Sequence, residues 1–208
     1  MGSLDQFQRS VIIGCLLGDG YIRQIPGRRD AFLEINHSFS QHEYVDWKYL
    51  VLSNISGNAP KKRKGSEGRV AYRFYTKQNP EITDLMKLWY VNKMKTIPLD
   101  IELNSISLAV WYMDDGSKCS ESDFYLNTQQ FDLSSQIILI KKLREMGLSA
   151  KLNKDKKYRR IRFLKSSIPE LKRIIHKHII PSMEYKLIHD PVETTRRSPV
   201  FLKEKRTG

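Results

Sequence analysis

The sequence is poor in cysteine and has no long apolar run, and both shortages narrow what it can encode. Cys15 and Cys119 are too few for a disulfide framework, and neither has metal-ligating neighbours at close spacing. A reducing compartment is the expected setting, with Cys15 a small core residue of an apolar helix and Cys119 without a role. No apolar stretch approaches the ~18 residues that span a bilayer. The opening MGSLDQFQRSV lacks the basic-then-apolar layout of a signal peptide. With no targeting signal visible, the expected location is intracellular, a prokaryotic cytoplasm or an organelle. Acidic residues are also scarce: 23 Asp+Glu stand against 36 Lys+Arg, a net charge of +13. That excess favours a polyanionic partner, nucleic acid first and an anionic membrane surface second. Charge alone decides little, since many basic proteins bind nothing in particular. At 208 residues and 40% hydrophobic, the chain can bury a sizeable core in one domain or two small ones.

What is present is a diverged internal repeat, visible as order and spacing. VIIGCLLGDGY (11–21) matches SLAVWYMDDGS (107–117), and Asp19 and Asp115 are 96 residues apart. Alternating, strand-like FLEINHSF (32–39) and FYLNTQQF (124–131) follow, with Asn36 and Asn127 separated by 91. Amphipathic helices come next, from Glu43 toward Gly57 and from Ser134 to Gly147, each glycine sitting where a left-handed C-terminal cap is expected. GRVAYRFYTK (68–77) and KKYRRIRFLK (156–165) are second strand regions. Pro80-Glu81 and Pro169-Glu170 then open further helices, which lead to Lys95 and Lys186, again 91 apart. The reading is a duplicated α-β-β-α-β-β-α unit, an α+β fold of two halves. The expected boundaries are 5–98 and 105–190, with a polar basic tail at 191–208, and TIPLDIELNS as the linker.

The two motif helices carry the chemistry. Gly14 and Gly18 fall on one helix face, and each costs about 1 kcal/mol relative to alanine. Close approach to another helix justifies them, and the second motif, with Ala109 on its small-residue side, is the obvious partner. Packing the two brings their C-terminal ends together, each ending in Asp-Gly. A helix C-terminus is partly negative, so an aspartate there is disfavoured, and two such ends repel unless cations neutralise them. Hard divalent ions with oxygen ligands do so and suit phosphodiester hydrolysis. A single Asp-Gly is more simply a capping turn; the duplication is what argues for a site.

Here the sequence resembles the LAGLIDADG homing endonucleases, in the single-chain form that carries both motifs. Ile12 to Gly20 aligns with the family's nine-residue pattern, and so does Leu108 to Gly116. The final acidic position, which binds the catalytic metals in that family, is kept as Asp19 and Asp115. The first acidic position is replaced by Leu17 and Met113, a position that varies in the family, and Asp114 stands where a small residue is usual, either a carboxylate behind the metal ligands or a merely solvated one. The resemblance implies two pseudo-symmetric αββαββα halves with an antiparallel β-saddle for DNA, acting as a monomer. It implies site-specific double-strand cleavage of a long, pseudo-palindromic target, with Mg2+ as cofactor, Mn2+ substituting, and Ca2+ supporting binding without cleavage. LNTQ (126–129), KTIP (95–98) and MEYK (183–186) look most like intron-encoded members. By the same resemblance Lys95 and Lys186 assist catalysis, Gly18 and Asp114 stand with the metal-binding aspartates, and Asn36, Asn127 and Gln129 order water. The bland alternatives are surface lysines and ordinary strand polars.

The strands supply the binding surface. Arg69, Arg73, Tyr75 and Lys77 share one strand face opposite Val70, Tyr72 and Phe74. Tyr158, Arg160 and Arg162 likewise face away from Ile161 and Phe163. A basic, aromatic strand face suits a β-ribbon in the major groove, although a solvated sheet reads the same way. Arg28, Arg29, Lys61, Lys62, Arg63, Lys64, Lys154, Lys156 and Lys157 read as turns at strand ends that touch phosphate. His37 is expected to face DNA. Trp47, Trp89 and Trp111 read as core. Two rivals stay open: an RNA-splicing maturase of the same family that binds intron RNA, and a catalytically inactive DNA-binding regulator. The latter predicts loss of a motif acid or a lysine, and neither is lost.

Overall fold

Each motif helix begins at a side-chain cap. Asp5 accepts from the Gln8 amide while Gln8 returns a bond to the Asp5 amide, opening α1 (Gln6–Leu17). Asn104 and Ser107 make the same reciprocal pair at the start of α4 (Ser105–Asp115). In the computed structural model, which describes residues 3–65, 68–155 and 157–188, the two helices lie side by side. A β-carbon on Gly14 would stand 2.5 Å from Val110 Cβ and 2.7 Å from the Ser107 carbonyl oxygen. One on Gly18 would stand 2.3 Å from Asp114 Cβ. The glycines therefore exist for helix contact, but they meet Ser107, Val110 and Asp114 rather than Ala109. From Ser10 in α1 and Ser107 in α4 onward both helices are buried nearly all round, because neighbours cover them there.

Around this pair the chain runs twice through the same course. The first passage comprises β1 (Tyr21–Arg23), β2 (Phe32–Ser38), α2 (His42–Val51), β3 (Lys61–Lys64), β4 (Val70–Tyr75) and α3 (Pro80–Trp89). A hairpin, β5 (Tyr90–Val91) and β6 (Met94–Lys95), then leads toward α4. The second comprises β7 (Gly116–Ser120), β8 (Asp123–Leu126), α5 (Leu133–Glu145), β9 (Ala150–Asp155), β10 (Tyr158–Phe163), α6 (Ile168–Ile175) and α7 (Tyr185–Ile188). The antiparallel sheets have matching orders, β1-β2-β4-β3 and β7-β8-β10-β9. Each sheet buries one face: Leu33, Ile35 and Phe74 in the first, Phe124, Leu126, Ile161 and Phe163 in the second. Trp89 and Trp111 are core, and Trp47 stacks on Tyr44 at the core's edge.

Local expectations fail in two places. The helix ending at Gly147 does close on a left-handed glycine, φ 78°. The other stops at Val51, and Gly57 instead donates its amide to Tyr75, pairing beside β4. Lys61 to Lys64 is not a turn but β3, an edge strand of four consecutive exposed cations, which disfavour pairing with another sheet edge. The tail 191–208 lies outside the described residues.

Candidate active site

The two carboxylates stand at the same end of the α1–α4 pair, but in different settings. α1 stops at Leu17, and the Gly18 and Gly20 amides fold back onto its last carbonyls, so Asp19 sits past the helix with its side chain 49% exposed. α4 continues through Asp115, whose carbonyl accepts from the Asn127 amide at 3.0 Å. Burial, then the charges of Asp19 and Asp114, push the Asp115 carboxyl up to about 7. Burial and then Asp114 raise Asp19 as well.

Two lysines close on this point along matched routes. The β5–β6 turn, Asn92-Lys93, holds positive φ angles of 51° and 65°, which match the twist of a tight hairpin and aim Lys95 inward. Its Nζ donates to the Gly20 carbonyl at 2.8 Å and to that of Gly18 at 3.2 Å. Lys186, on α7, donates to the Asp114 carbonyl at 2.6 Å. Each lysine thus reaches the carbonyl of the residue before a motif aspartate. Burial lowers both, Lys95 to about 8, so its ammonium releases a proton more readily than an ordinary lysine.

Beneath Asp19 lies a cluster the sequence reading missed. Asp114 Oδ1 accepts from Lys48 Nζ at 2.7 Å and from the Tyr44 hydroxyl at 2.8 Å, while its Oδ2 accepts the Asp19 amide at 3.2 Å. The Lys48 and Asp114 side chains are both fully buried. Burial pulls Lys48 down, but Asp114 outweighs it and holds the amine above its ordinary value. Burial likewise raises Asp114, and Lys48 outweighs that in turn, so the carboxyl stays below its ordinary value. The result is a compensated ion pair. Lys48 Nζ also lies 3.0 Å from His37 Nε2, and His37 Nδ1 lies 3.4 Å from Asp19 Oδ2. Burial, then Lys48, lowers His37 to about 3, so the ring is neutral at physiological pH. With Nε2 accepting from the ammonium, Nδ1 carries the proton and faces Asp19.

This corrects two assignments. His37 does not face DNA; it is 7% exposed, because β2 alternates and Asn36 takes the outward position. Asp114 does not turn its carboxylate toward the metal-binding position; Lys48 and Tyr44 hold it inward, leaving its carbonyl at the site. A signal for Lys48 existed: Tyr44, Val45, Lys48 and Leu52 fall on one helical face, three buried apolar side chains flanking a buried lysine.

Asn36 opens into a cleft shared with Asp19, Tyr21, Arg23 and Glu34. Asn127 is half-buried just beyond β8. The glutamine at the site is Gln130 rather than Gln129, because β8 ends at Leu126 and a turn carries the next residues past the helix end. Gln130 Nε2 stands 3.3 Å from both Asp115 Oδ2 and the Gly18 carbonyl.

The strand faces sort the basic residues further, since cross-strand partners share a side. Lys61 pairs with Arg73, which pairs with Asn36, and Arg63 pairs with Ala71 and thence Ser38. These side chains continue the cleft face, where Arg73 lies over Tyr75 at 5.2 Å. Lys62 and Lys64 lie on the opposite side, Lys62 over the Phe39 ring at 3.8 Å. Arg28, Arg29, Arg69 and Lys77 are exposed in loops and at strand ends. In the second sheet Tyr158, Arg160 and Arg162 share a face with Lys151 and Asn153, Arg160 over Tyr125 at 4.1 Å and Arg162 paired with Asp123. Lys154 pairs with Arg159 on the other face. Lys157 is exposed at the turn, and Lys156 lies outside the described residues.

The carboxylates of Asp19 and Asp115 are hard oxygen donors that suit a divalent cation at the helix ends, while the Gly18 and Asp114 carbonyls beside them each accept from a lysine. Burial first, then neighbouring carboxylates, raises both carboxyls, and a cation there would offset that. A second grouping, Asp19, His37 and Asp114, offers three ligand atoms within 4.8 Å. It does not fit a metal, because the Lys48 ammonium already lies among those atoms and supplies the positive charge.

Residues 9–171 match the model of the LAGLIDADG DNA endonuclease family. Cytochrome b mRNA maturase bI2 of Saccharomyces cerevisiae is 30% identical over 207 residues, covering 90% of this chain and 48% of the yeast protein. The chain therefore spans about half the length of that relative. The protein named "Probable intron-encoded endonuclease 1" of Wickerhamomyces canadensis is 29% identical, covering 89% of this chain and 86% of its own length. Among solved structures, the homing endonuclease I-WcaI bound to its DNA recognition sequence superposes with a TM-score of 0.82. It is 25% identical and covers 90% of this chain and 88% of its own.

Proposed function

Because the chain belongs to the LAGLIDADG DNA endonuclease family, we propose that it makes site-specific double-strand breaks in a long, imperfectly palindromic DNA target. The observation that carries this reading is the pairing of Asp19 and Asp115 at one end of two glycine-packed helices, each with a half-buried lysine on an adjoining carbonyl. A divalent cation held by the two carboxylates and neighbouring carbonyls would polarise a water and neutralise charge on the phosphate; magnesium is the ion proposed, with manganese substituting and calcium supporting binding alone.

The protein's own groups do the rest. Lys95 and Lys186 place positive charge beside the reacting phosphates, where charge grows in the transition state. Lys95, lowered to about 8, can also give a proton to the departing oxygen. Asn36, on the outward face of β2, and Asn127, just beyond β8, orient water. The outward faces of both sheets, with Lys61, Arg63, Arg73 and Arg160, bind phosphate and base edges. One chain carries both halves, so the working species is a monomer.

Cutting a randomised DNA library with magnesium and sequencing the ends should yield one long motif. In a matched test, Asp19→Asn or Asp115→Asn should abolish double-strand cutting while binding persists in calcium. Undiminished cutting by either variant would sink the reading. The likeness to a yeast mRNA maturase supports a second role in splicing an intron RNA. Splicing that survives the double Asp→Asn change, in a protein whose parent cuts no DNA, would favour that role instead. The inactive-regulator reading fits less well, since both acids and both lysines are in place.

A further inference from the structure

The two carboxylates are not supported alike. Asp114 belongs to the second half, yet it holds the Asp19 amide of the first at 3.2 Å, while Lys48 and Tyr44 pin its other oxygen. His37 adds its Nδ1 facing Asp19 Oδ2 at 3.4 Å, with its other nitrogen 3.0 Å from the same Lys48 amine. One buried ammonium thus fixes both groups that touch Asp19.

The twin arrangement around Asp115 lacks every member. Ninety-one residues on from His37, Tyr44 and Lys48, the repeat places Thr128, Ser135 and Leu139. Opposite Asp114 stands Gly18. That last difference is enforced by packing, because a side chain at 18 would begin 2.3 Å from Asp114 Cβ. Only one of these two symmetry-related positions can carry a carboxylate. Asp115 is met instead by Gln130, an exposed amide at 3.3 Å.

We propose that Lys48 and His37 are positioning residues for Asp19 alone, so that removing either slows the cut at one DNA strand and spares the other. The inference rests on the endonuclease reading. A duplex carries its own twofold, so a pseudo-twofold protein astride it sets one motif aspartate nearer each strand's phosphate. Groups behind a ligand that fix its orientation typically change activity 10- to 100-fold when removed.

The test follows each strand separately, by single-turnover cleavage of a duplex labelled on one strand and then the other. His37→Phe keeps the ring's bulk but removes both nitrogens; it should slow one strand about 10- to 100-fold and leave the other within about twofold. His37→Gln should restore most of the loss, since its amide oxygen can accept from Lys48 and its N–H can face Asp19. Lys48→Met with Asp114→Asn removes the buried charges together, sparing the fold an unpaired ion, and should slow the same strand as His37→Phe. Equal slowing of both strands in the folded variants would overturn the proposal, as would no change in either, or a His37→Gln variant no better than Phe. If the parent protein cuts no DNA at all, it is the endonuclease reading that fails.

Discussion

At the end of α1 the motif aspartate lies outside the helix and is gripped from beneath by a buried ion pair. At the end of α4 its twin is the last helical residue, crowded by like charge, its carboxylate met by Gln130, with Lys186 bound to the carbonyl just before it. The backbone course, sheet order and lysine geometry repeat between the halves; the support under the carboxylates does not. A duplicated fold can therefore keep its symmetry where geometry must match the duplex and abandon it one layer deeper, where two side chains would occupy one space.

The comparison breaks hardest at Lys48. Lys48→Met leaves Asp114 buried and unpaired and should cost about 3–5 kcal/mol by urea denaturation. The matched change in the other half, Leu139→Met, should cost under about 1.5 kcal/mol. Equal losses would mean that the ion pair is not what holds the first half.

Gly18→Ala forces a methyl group against Asp114 and should cost about 1–3 kcal/mol. In an Asp114→Gly background the same substitution should cost far less, and that coupling in a double-mutant cycle measures the mutual exclusion directly. Additive effects would contradict it.

The two carboxyls should also part company with pH. Without divalent ions Asp115 titrates near 7 in the folded protein, against about 3.9 when unfolded. The folded state then binds a proton the unfolded chain has lost, so stability is full below about pH 4 and declines as pH rises through 7. Asp115→Asn should remove that decline, making the metal-free protein more stable by about 1–3 kcal/mol at pH 8 and unchanged near pH 4. Asp19→Asn, at a half-exposed position, should gain less in the same melts in EDTA.

The smallest effect concerns the sheet faces. Arg63→Ala, on the cleft side of β3, should lower the salt slope of DNA binding by about one. Lys62→Ala, stacked on Phe39 behind the sheet, should leave the slope nearly unchanged.

How much of this was legible in the sequence follows from what each feature depends on. The motif pair, both lysines and the outline of two like halves were readable because the chain states them twice at fixed spacing. β1 and β7 were not, being short and continuous with the motif turns. His37 falls on the buried face that Leu33 and Ile35 set by alternation, but a polar ring there reads as exposed until the fold brings Lys48 and Asp19 to it. The sequence points to Gln129 where the structure has Gln130, because one residue of slip reverses a side chain beyond a strand's end. Lys48 was passed over since a lysine on a helix is ordinarily solvated; only the carboxylate brought to it from 66 residues away explains its burial.

The exclusion between positions 18 and 114 also decides which halves can pair. Two copies of the first half, brought together about the same axis, would set glycine against glycine and leave a small gap. Two copies of the second would drive one Asp114 into the other with no lysine to neutralise either. The second half is thus unable to partner itself, while the first still can, so the chain has become an obligate couple through one of its members only. Any recombination that exchanges halves between relatives must carry a glycine to meet that aspartate, and the lysine with it.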